Sequence, residues 1–326
     1  QPRVPWQVKY LALVLIWGSS FLLMKVGLEA LTAVQISALR ILSGAVVLLG
    51  LLFARGGRLP TGARVWGHLL VCGFFLGALP FTLFALSETR ISSALAGIGN
   101  AATPIATVLA TMAILPGERA TGRRLVAVGV GFLGVITIMQ PWTATDRPDL
   151  VGFSMALIGG ASYGIGWTYN RKFLSGVDLG GLSQPAATLT SALVLMVPFV
   201  VTWALLQPEG LAAIWAYDAA GVGDLPWLPL LCVLVLGVVG TGFAYMLQFD
   251  VVRGAGPVIG STITYLIPVV SVLLGVLVLG EHLGPWQIVG FVIVLGAAFV
   301  INQKPAARPA TDATASTVGE VTTTAR

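Results

Sequence analysis

The amino-acid sequence predicts an all-α integral membrane protein with ten transmembrane helices, arranged as two inverted five-helix repeats. Three observations lead to this prediction. Hydrophobic residues make up 56% of the chain and charged residues only 10%. The chain contains ten apolar runs near the length that crosses a bilayer, about 20 residues. The first five runs and the last five also carry the same short motifs in the same order.

The composition excludes a soluble globular protein. Soluble domains contain about 25% charged residues, and this chain of 326 residues contains far fewer. Its 40 glycines suit helices that approach each other closely in lipid. Cys72 and Cys232 lie inside apolar runs, without the spacing of a disulfide framework or a zinc site. We therefore expect neither a metal nor a cofactor.

The apolar runs must be helices, because a helix pairs its backbone polar groups within a single segment and hydrocarbon offers no other partner. The first run is long enough to remain in the membrane as a span, and no small-residue cleavage pattern follows it. The predicted helices are Val8–Leu28, Val34–Ala54, Trp66–Ser87, Ile91–Leu115, Arg124–Gln140, Leu150–Leu174, Leu182–Leu206, Trp227–Gln248, Ala255–Leu279 and Trp286–Asn302.

The distribution of basic residues predicts the orientation. Ten spans place both termini on one side, and most of the 18 Lys and Arg residues fall on that side. Lys25, Arg90 and Arg147 fall on the other. Cytoplasmic loops carry the excess of Lys and Arg, so both termini are predicted to be cytoplasmic in a bacterial inner membrane. The basic residues behind the net charge of +5 lie in short loops between the apolar runs. Membrane topology explains them, so nucleic-acid binding is not indicated.

Two stretches of the chain share an order of features. Pro104 is followed by Gly117-Glu118 at the end of the fourth run, and then by a glycine-rich helix. Pro268 is followed by Gly280-Glu281 at the end of the ninth run, and then by another glycine-rich helix. This recurrence predicts an internal duplication.

The duplication divides the chain. The first repeat covers residues 8–140, the second covers 150–302, and a disordered cytoplasmic tail covers 303–326. Each repeat holds five spans, an odd number, so the second enters the membrane upside down relative to the first. Inverted repeats are the architecture of many secondary transporters, in which substrate binds near the midplane and access alternates between the two faces.

Several short motifs resemble those of one transporter family. They are Trp17-Gly18-Ser19-Ser20-Phe21 with Lys25 in the first helix, Ala38-Leu39-Arg40 in the second, and the two Pro…Gly-Glu elements. In this order they resemble the EamA-type drug/metabolite transporter superfamily. The resemblance implies ten helices in two inverted repeats, cytoplasmic termini and a central cavity. It also implies export of amino acids or other small metabolites.

Polar and aromatic side chains at bilayer depth are the candidate substrate ligands, because such groups are costly in hydrocarbon. Pro104 and Pro268 are expected mid-helix, where proline removes a hydrogen bond and can act as a hinge. The alternative for the hydroxyl groups is a role in helix–helix contacts. The candidate ligands are Trp17, Ser20, Asn100, Thr103, Tyr163, Trp167, Tyr245, Gln248, Thr264 and Tyr265.

Five charged residues are singled out. Lys25, Arg40 and Glu88 are candidate charge partners. Arg40 lies about two turns inside the second helix, where it snorkels outward beside Lys25, forms a structural pair, or binds a substrate carboxylate. Glu88 is expected at the outer end of the third helix, so a mid-membrane proton relay is not supported. Glu118 and Glu281 are interpreted as structural groups that brace the helix following each of them.

The sequence thus predicts a secondary transporter, an exporter or facilitator of amino acids or similar small metabolites. Facilitated diffusion and exchange both fit. Efflux of lipophilic drugs or lipid-linked compounds is the alternative, and a membrane scaffold or embedded enzyme is more remote. The chain has neither an HExxH motif nor a phosphate-binding loop, so ATP use is not indicated. The expected partners are a small-molecule substrate and the lipid bilayer.

Overall fold

The computed structural model describes residues 5–115, 122–140, 142, 148–177, 179–218, 227–255 and 257–302. This part of the chain is helical and contains no β-strand. The helices are α1 Trp6–Gly18, α2 Ser20–Gly27, α3 Ala33–Ala54, α4 Ala63–Gly73, α5 Leu79–Glu88, α6 Ser93–Gly99, α7 Thr103–Ile114, α8 Gly122–Met139, α9 Leu150–Phe173, α10 Ser183–Leu205, α11 Leu228–Gly237, α12 Ala244–Ala255, α13 Pro257–Leu279 and α14 Pro285–Asn302.

Among the described residues, eight helical segments are long and apolar enough to cross a membrane, which confirms the all-α membrane architecture. Four of them combine two helices: α1 with α2, α4 with α5, α6 with α7, and α11 with α12. Two shorter apolar stretches, Ile263–Leu279 and Pro285–Ile301, lie in α13 and α14. The eight segments are Trp6–Gly27, Ala33–Ala54, Ala63–Glu88, Ser93–Ile114, Gly122–Met139, Leu150–Phe173, Ser183–Leu205 and Leu228–Gln248.

Polar residues between the apolar runs start several helices by capping them. Thr32 and Gln35 form a reciprocal capping box at the start of α3. The hydroxyl of Ser92 caps α6. A carboxylate oxygen of Asp149 accepts a hydrogen bond of 2.6 Å from the backbone N–H of Gly152 in α9. These side chains satisfy N–H groups that have no partner within the helix.

Two predicted helices are interrupted. The first bends at Ser19, which separates α1 from α2. The fourth is broken by a 3₁₀ turn at Asn100–Ala102, and Pro104 lies in the first turn of α7. Pro104 thus lies in the middle of the segment Ser93–Ile114, as expected, and its missing N–H falls in the first turn after the break, where a helix has no internal partner. Pro268 does lie inside a continuous helix, α13.

The largest buried apolar cluster contains residues from both halves of the chain. It includes Leu13 and Phe21 from α1 and α2, Phe153 from α9, and Ile267 from α13. The halves also contact each other through α3 with α10, α6 with α13, and α8 with α14. The two predicted repeats therefore share one core and do not form separate domains.

The connections meet at two opposite ends of the helix bundle. At one, the Lys9 end, the ammonium of Lys9 lies 2.6 Å from a carboxylate oxygen of Asp250. At the other, the Glu88 end, the Lys25 ammonium donates to the backbone carbonyls of Glu88, at 2.6 Å, and Ile91, at 3.2 Å. Each of these contacts joins segments that are distant in sequence.

Glycine at position 164 allows α7 and α9 to pack with their backbones in contact. A Cβ at Gly164 would lie 2.6 Å from the backbone nitrogen of Thr107 and 2.8 Å from the carbonyl oxygen of Thr103. We predict that Gly164→Ala lowers the free energy of unfolding by about 1–3 kcal/mol, because backbone atoms cannot move aside locally. Apparent melting temperatures of the purified protein in detergent measure the effect.

Gly129→Ala in α8 is the matched control, because a Cβ there meets no atom within 4 Å. This substitution should be neutral, or stabilising by up to about 1 kcal/mol through helix propensity. Equal melting temperatures for the two variants would contradict the close packing of α7 on α9.

Candidate functional site

The Arg40 side chain is buried inside the bundle. It lies on α3, about 10 Å along the axis from the first residue of the helix, and only 6% of it is exposed. Its Nε donates to the hydroxyl of Thr241 at 3.1 Å, and its guanidinium carbon lies 3.9 Å from the centroid of the Phe81 ring. The alternative that Arg40 snorkels outward beside Lys25 is therefore wrong. Partners inside the protein replace water around the charge.

Two π-helical turns contribute groups to the surroundings of Arg40. Between α11 and α12, the turn Val238–Phe243 directs the Gly240 carbonyl to Nε1 of Trp17, at 3.1 Å. The Thr241 hydroxyl of the same turn donates to the Leu236 carbonyl at 3.3 Å and so can accept from Arg40. Such turns occur frequently at functional sites, because they change the helical hydrogen-bond pattern.

A second π-helical turn, Phe74–Ala78, lies between α4 and α5. The Tyr245 hydroxyl lies 3.5 Å from the Leu76 carbonyl in this turn. The Tyr245 ring packs edge-on against Trp17, with ring centroids 6.4 Å apart. We call Arg40, Thr241, Phe81, Trp17 and Tyr245 the Arg40 site.

Aromatic side chains extend the site toward α9. Tyr163 stacks on Phe84 at 6.3 Å, and Phe84 packs edge-on against Phe21 at 5.2 Å. The phenol groups of Tyr163 and Tyr245 lie within electrostatic range of the Arg40 guanidinium. Three of the predicted ligands, Trp17, Tyr163 and Tyr245, are thus brought together.

Other predicted ligands lie elsewhere or are engaged in helix contacts. The Thr103 hydroxyl is 2.8 Å from the Gly160 carbonyl, where α7 crosses α9, and Asn100 is buried beside it. The Ser20 hydroxyl, at the start of α2, donates to the Ile16 carbonyl of α1. Trp167 is 39% exposed, outside the buried aromatic group.

The remaining predicted ligands lie on α12 and α13. The side-chain oxygen of Gln248 is buried and has no hydrogen-bond partner among the described residues. Thr264 and Tyr265 are half-buried on α13, less than two turns before Pro268. Glu118 lies outside the described residues.

Glu281 joins the two halves of the chain at the Glu88 end. Its carboxylate accepts from the backbone N–H groups of Ser93, at 2.7 Å, and Ala94, at 2.9 Å, and from the Ser93 hydroxyl at 3.1 Å. Gly280, with φ of 65°, ends α13 in the left-handed conformation that glycine favours. The expectation that Glu281 braces the following helix is wrong, because it binds the start of α6 in the other half.

Glu88 lies at the end of the third span, where the sequence predicts it. It is the last residue of α5, but none of its surface is exposed. Arg90, its neighbour in sequence, lies 3.5 Å from the carboxylate of Asp149. The structure therefore confirms the helix end and adds that Glu88 is covered there.

Sequence reasoning did not identify Phe81 and Thr241 as the partners of Arg40. A sequence signal existed for Thr241, which stands between Gly240 and Gly242 in the middle of an apolar run. Phe81 carried no signal, because one phenylalanine among many apolar residues does not reveal its contacts.

The structure offers no support for metal or hydrolytic chemistry in the described residues. No group of three His, Cys, Asp or Glu side chains there could hold a metal ion. Gly160-Ala161-Ser162-Tyr163-Gly164 has the letter pattern of a hydrolase nucleophile turn, but it lies inside α9. The Ser162 hydroxyl donates to the Gly159 carbonyl of the same helix, so the segment lacks the sharp strand-to-helix turn that exposes such a serine.

Comparisons with known proteins agree in pointing to transport. The sequence model of the EamA-like transporter family matches residues 5–140 and 150–303. The chain is 24% identical over 285 residues to the uncharacterized inner membrane transporter YedA of Escherichia coli strain K12, covering 86% of each chain. It is 23% identical over 296 residues to a protein of the same strain named "Probable amino-acid metabolite efflux pump", covering 89% of this chain and 92% of that one.

A solved crystal structure has a similar fold. It superimposes with a TM-score of 0.58 at 21% sequence identity, covering 90% of this chain and 94% of the other. At this identity the likeness concerns the fold alone.

The Glu281 contact yields a prediction about stability. Glu281→Ala removes a charged acceptor from three donors at the start of α6, and we expect the free energy of unfolding to fall by about 1–3 kcal/mol. Glu281→Gln keeps one acceptor oxygen and should lose less. Glu209→Ala, at an exposed carboxylate between α10 and α11, is the control. Melting temperatures in detergent that match between Glu281→Ala and the control would contradict the bridging role.

Proposed function

The chain belongs to the EamA-like transporter family, and on this basis we propose that it exports, or facilitates the movement of, amino acids or similar carboxylate-bearing metabolites across the inner membrane. It is a membrane transporter and not an enzyme. In the proposed mechanism, ten helices form two inverted repeats, residues 8–140 and 150–302. Access to the Arg40 site alternates between the two faces of the membrane.

The helix packing supports the inverted arrangement. Helices α3, α6 and α8 of the first repeat pack on α10, α13 and α14, which hold the same places in the second. Helix α1 packs on α12 and α13, and its counterpart α9 packs on α5 and α7. The π-helical turns also recur at corresponding places, one in each repeat. These reciprocal contacts are what an internal two-fold relation requires.

The contacts at the two ends support the proposed orientation. The Lys9 end carries the first residues of α1, and the charge distribution assigns this end to the cytoplasm. At the Glu88 end, the Gln35 side-chain amide donates to the backbone carbonyls of Ala213 and Ala216, at 3.0 and 2.7 Å. The connection between α10 and α11 therefore lies at the end assigned to the outside.

The Arg40 guanidinium is the observation that carries the substrate class. A guanidinium has five N–H donors, and within the described residues only Nε makes a hydrogen bond. The four N–H groups of the terminal nitrogens match the two oxygens of a carboxylate. A carboxylate would also neutralise the buried charge. A lipophilic compound without a carboxylate would neither accept hydrogen bonds from these N–H groups nor neutralise the charge. The efflux of apolar compounds therefore receives less support.

Transport into liposomes tests this proposal. We expect the reconstituted chain to mediate saturable counterflow of at least one labelled compound in a panel of amino acids. Matching amines and amides, which lack the carboxylate, should not compete. Arg40→Met should reduce counterflow at least about tenfold, the effect of losing a hydrogen bond to a charged group.

Arg55→Met is the control, because Arg55 lies exposed just beyond the end of the same helix. It should transport like the parent chain. Saturable transport that survives in Arg40→Met, or full competition by the amines, would contradict carboxylate recognition by Arg40. The absence of counterflow with the whole panel would contradict the substrate class.

A further inference from the structure

We propose that Glu88 is a proton-binding site, and that protonation of its carboxyl group is linked to closure of the Glu88 end of the transporter. This inference rests on the alternating access of the proposed function and adds a control of that access by protons. It assigns a role to a buried carboxyl group that the Arg40 site does not use.

The first support is the burial of Glu88 without a partner. None of its surface is exposed, and neither carboxylate oxygen has a hydrogen-bond partner among the described residues. Lys25 is a basic side chain at this end, but its ammonium donates to the backbone carbonyls of Glu88 and Ile91. An ionised carboxylate buried without hydrogen bonds is strongly disfavoured. The arrangement in this structure, in which Glu281 joins the two halves at this end, therefore favours the neutral acid, and we take it as the closed state.

The second support is the set of charged groups around Glu88. Lys25 on α2 and Arg40 on α3 act on the carboxyl group with positive charge, and Glu281, after α13, acts with negative charge. On α9, the nearby titratable group is Tyr163, whose ring stacks on Phe84 of α5. The two cations would stabilise an ionised Glu88 once water reaches it. Glu88 is therefore expected to be protonated when this end is closed and excludes water, and ionised when the end is open and hydrated.

The third support is an open cavity that leads to Glu88. Its volume is about 690 Å³, and its lining includes Lys25, Glu29, Thr32, Glu88 and Asp218. Once the contacts that cover Glu88 open, water in this cavity can deliver a proton from the face assigned to the outside. One O–H bond then forms on a Glu88 carboxylate oxygen when this end closes, and it breaks when the end opens.

The direction in which acid shifts the equilibrium between the closed and open states distinguishes Glu88 from Glu281. Protonation of Glu281 would weaken its hydrogen bonds to Ser93 and Ala94, so acid acting there would open this end. Protonation of Glu88 removes the penalty of burial, so acid acting there closes it. For one linked proton, the ratio of closed to open molecules changes by at most about tenfold per pH unit.

Distance measurements between two spin labels test the proposal. Thr89→Cys and His282→Cys place labels at exposed positions on the two sides of the contact between Glu281 and Ser93. The labelled full chain, free of Cys72 and Cys232, is measured in lipid nanodiscs by pulsed electron resonance between acidic and alkaline pH. We expect a short distance to dominate in acid and a longer one to gain population in alkali.

Variants of Glu88 show whether that group is responsible. Glu88→Gln, a permanent neutral mimic, should keep the short distance at every pH. Glu88→Asp and the control Glu29→Gln, at an exposed carboxylate of the same cavity, should keep the pH response. A pH response that persists in Glu88→Gln, a response of the opposite sign, or none in the parent would overturn the proposal.

Infrared difference spectra between acid and alkaline samples give a second readout that does not depend on motion. The carbonyl band of a protonated carboxylic acid should be present in the parent and in Glu29→Gln, and reduced in Glu88→Gln. An unchanged band in Glu88→Gln would count against proton binding at this position. Neither measurement uses a substrate, so failure here is distinct from failure of the counterflow assay.

Discussion

The structure depends on how one guanidinium group is accommodated at bilayer depth. Arg40 is surrounded by α3, α5 and the π-helical turn after α11, and these elements must approach closely to reach it. Glycines permit this: a Cβ at Gly44 would lie 2.9 Å from the Thr241 side chain, and one at Gly237 would lie 2.9 Å from the Arg40 carbonyl. The glycines and the irregular turn therefore let the partners of Arg40 approach it closely. This matters because a buried cation without partners is costly.

Two carboxylates at the Glu88 end illustrate how environment decides the role of a side chain. Glu281 accepts three hydrogen bonds and joins the two halves of the chain. Glu88 accepts none within the described residues. An ionised group suits the first setting and a neutral acid suits the second. The same residue type therefore makes a fixed contact in one place and, in our proposal, binds a proton in the other.

The span positions could be predicted from the sequence because hydrophobic length is a local property. The partners of buried charges could not. Arg40 and Thr241 are separated by 201 residues along the chain, and no periodicity indicates which residues meet across that distance. Local reasoning placed Pro104 in the middle of the fourth span but did not reveal the 3₁₀ turn before it. It placed Glu88 at a helix end correctly, but the end is covered by segments distant in sequence.

The central claim is that two inverted halves enclose the Arg40 site, and the sidedness of two equivalent connections tests it most directly. Thr61 lies between the second and third spans, and Glu209 lies at the same place in the second half, between the seventh and eighth; both are exposed. In a chain free of Cys72 and Cys232, single cysteines at these positions are treated in intact cells with a membrane-impermeant thiol reagent. The account predicts labelling at position 209 from outside, and at position 61 only after permeabilisation. Labelling of both positions from the same side would contradict it.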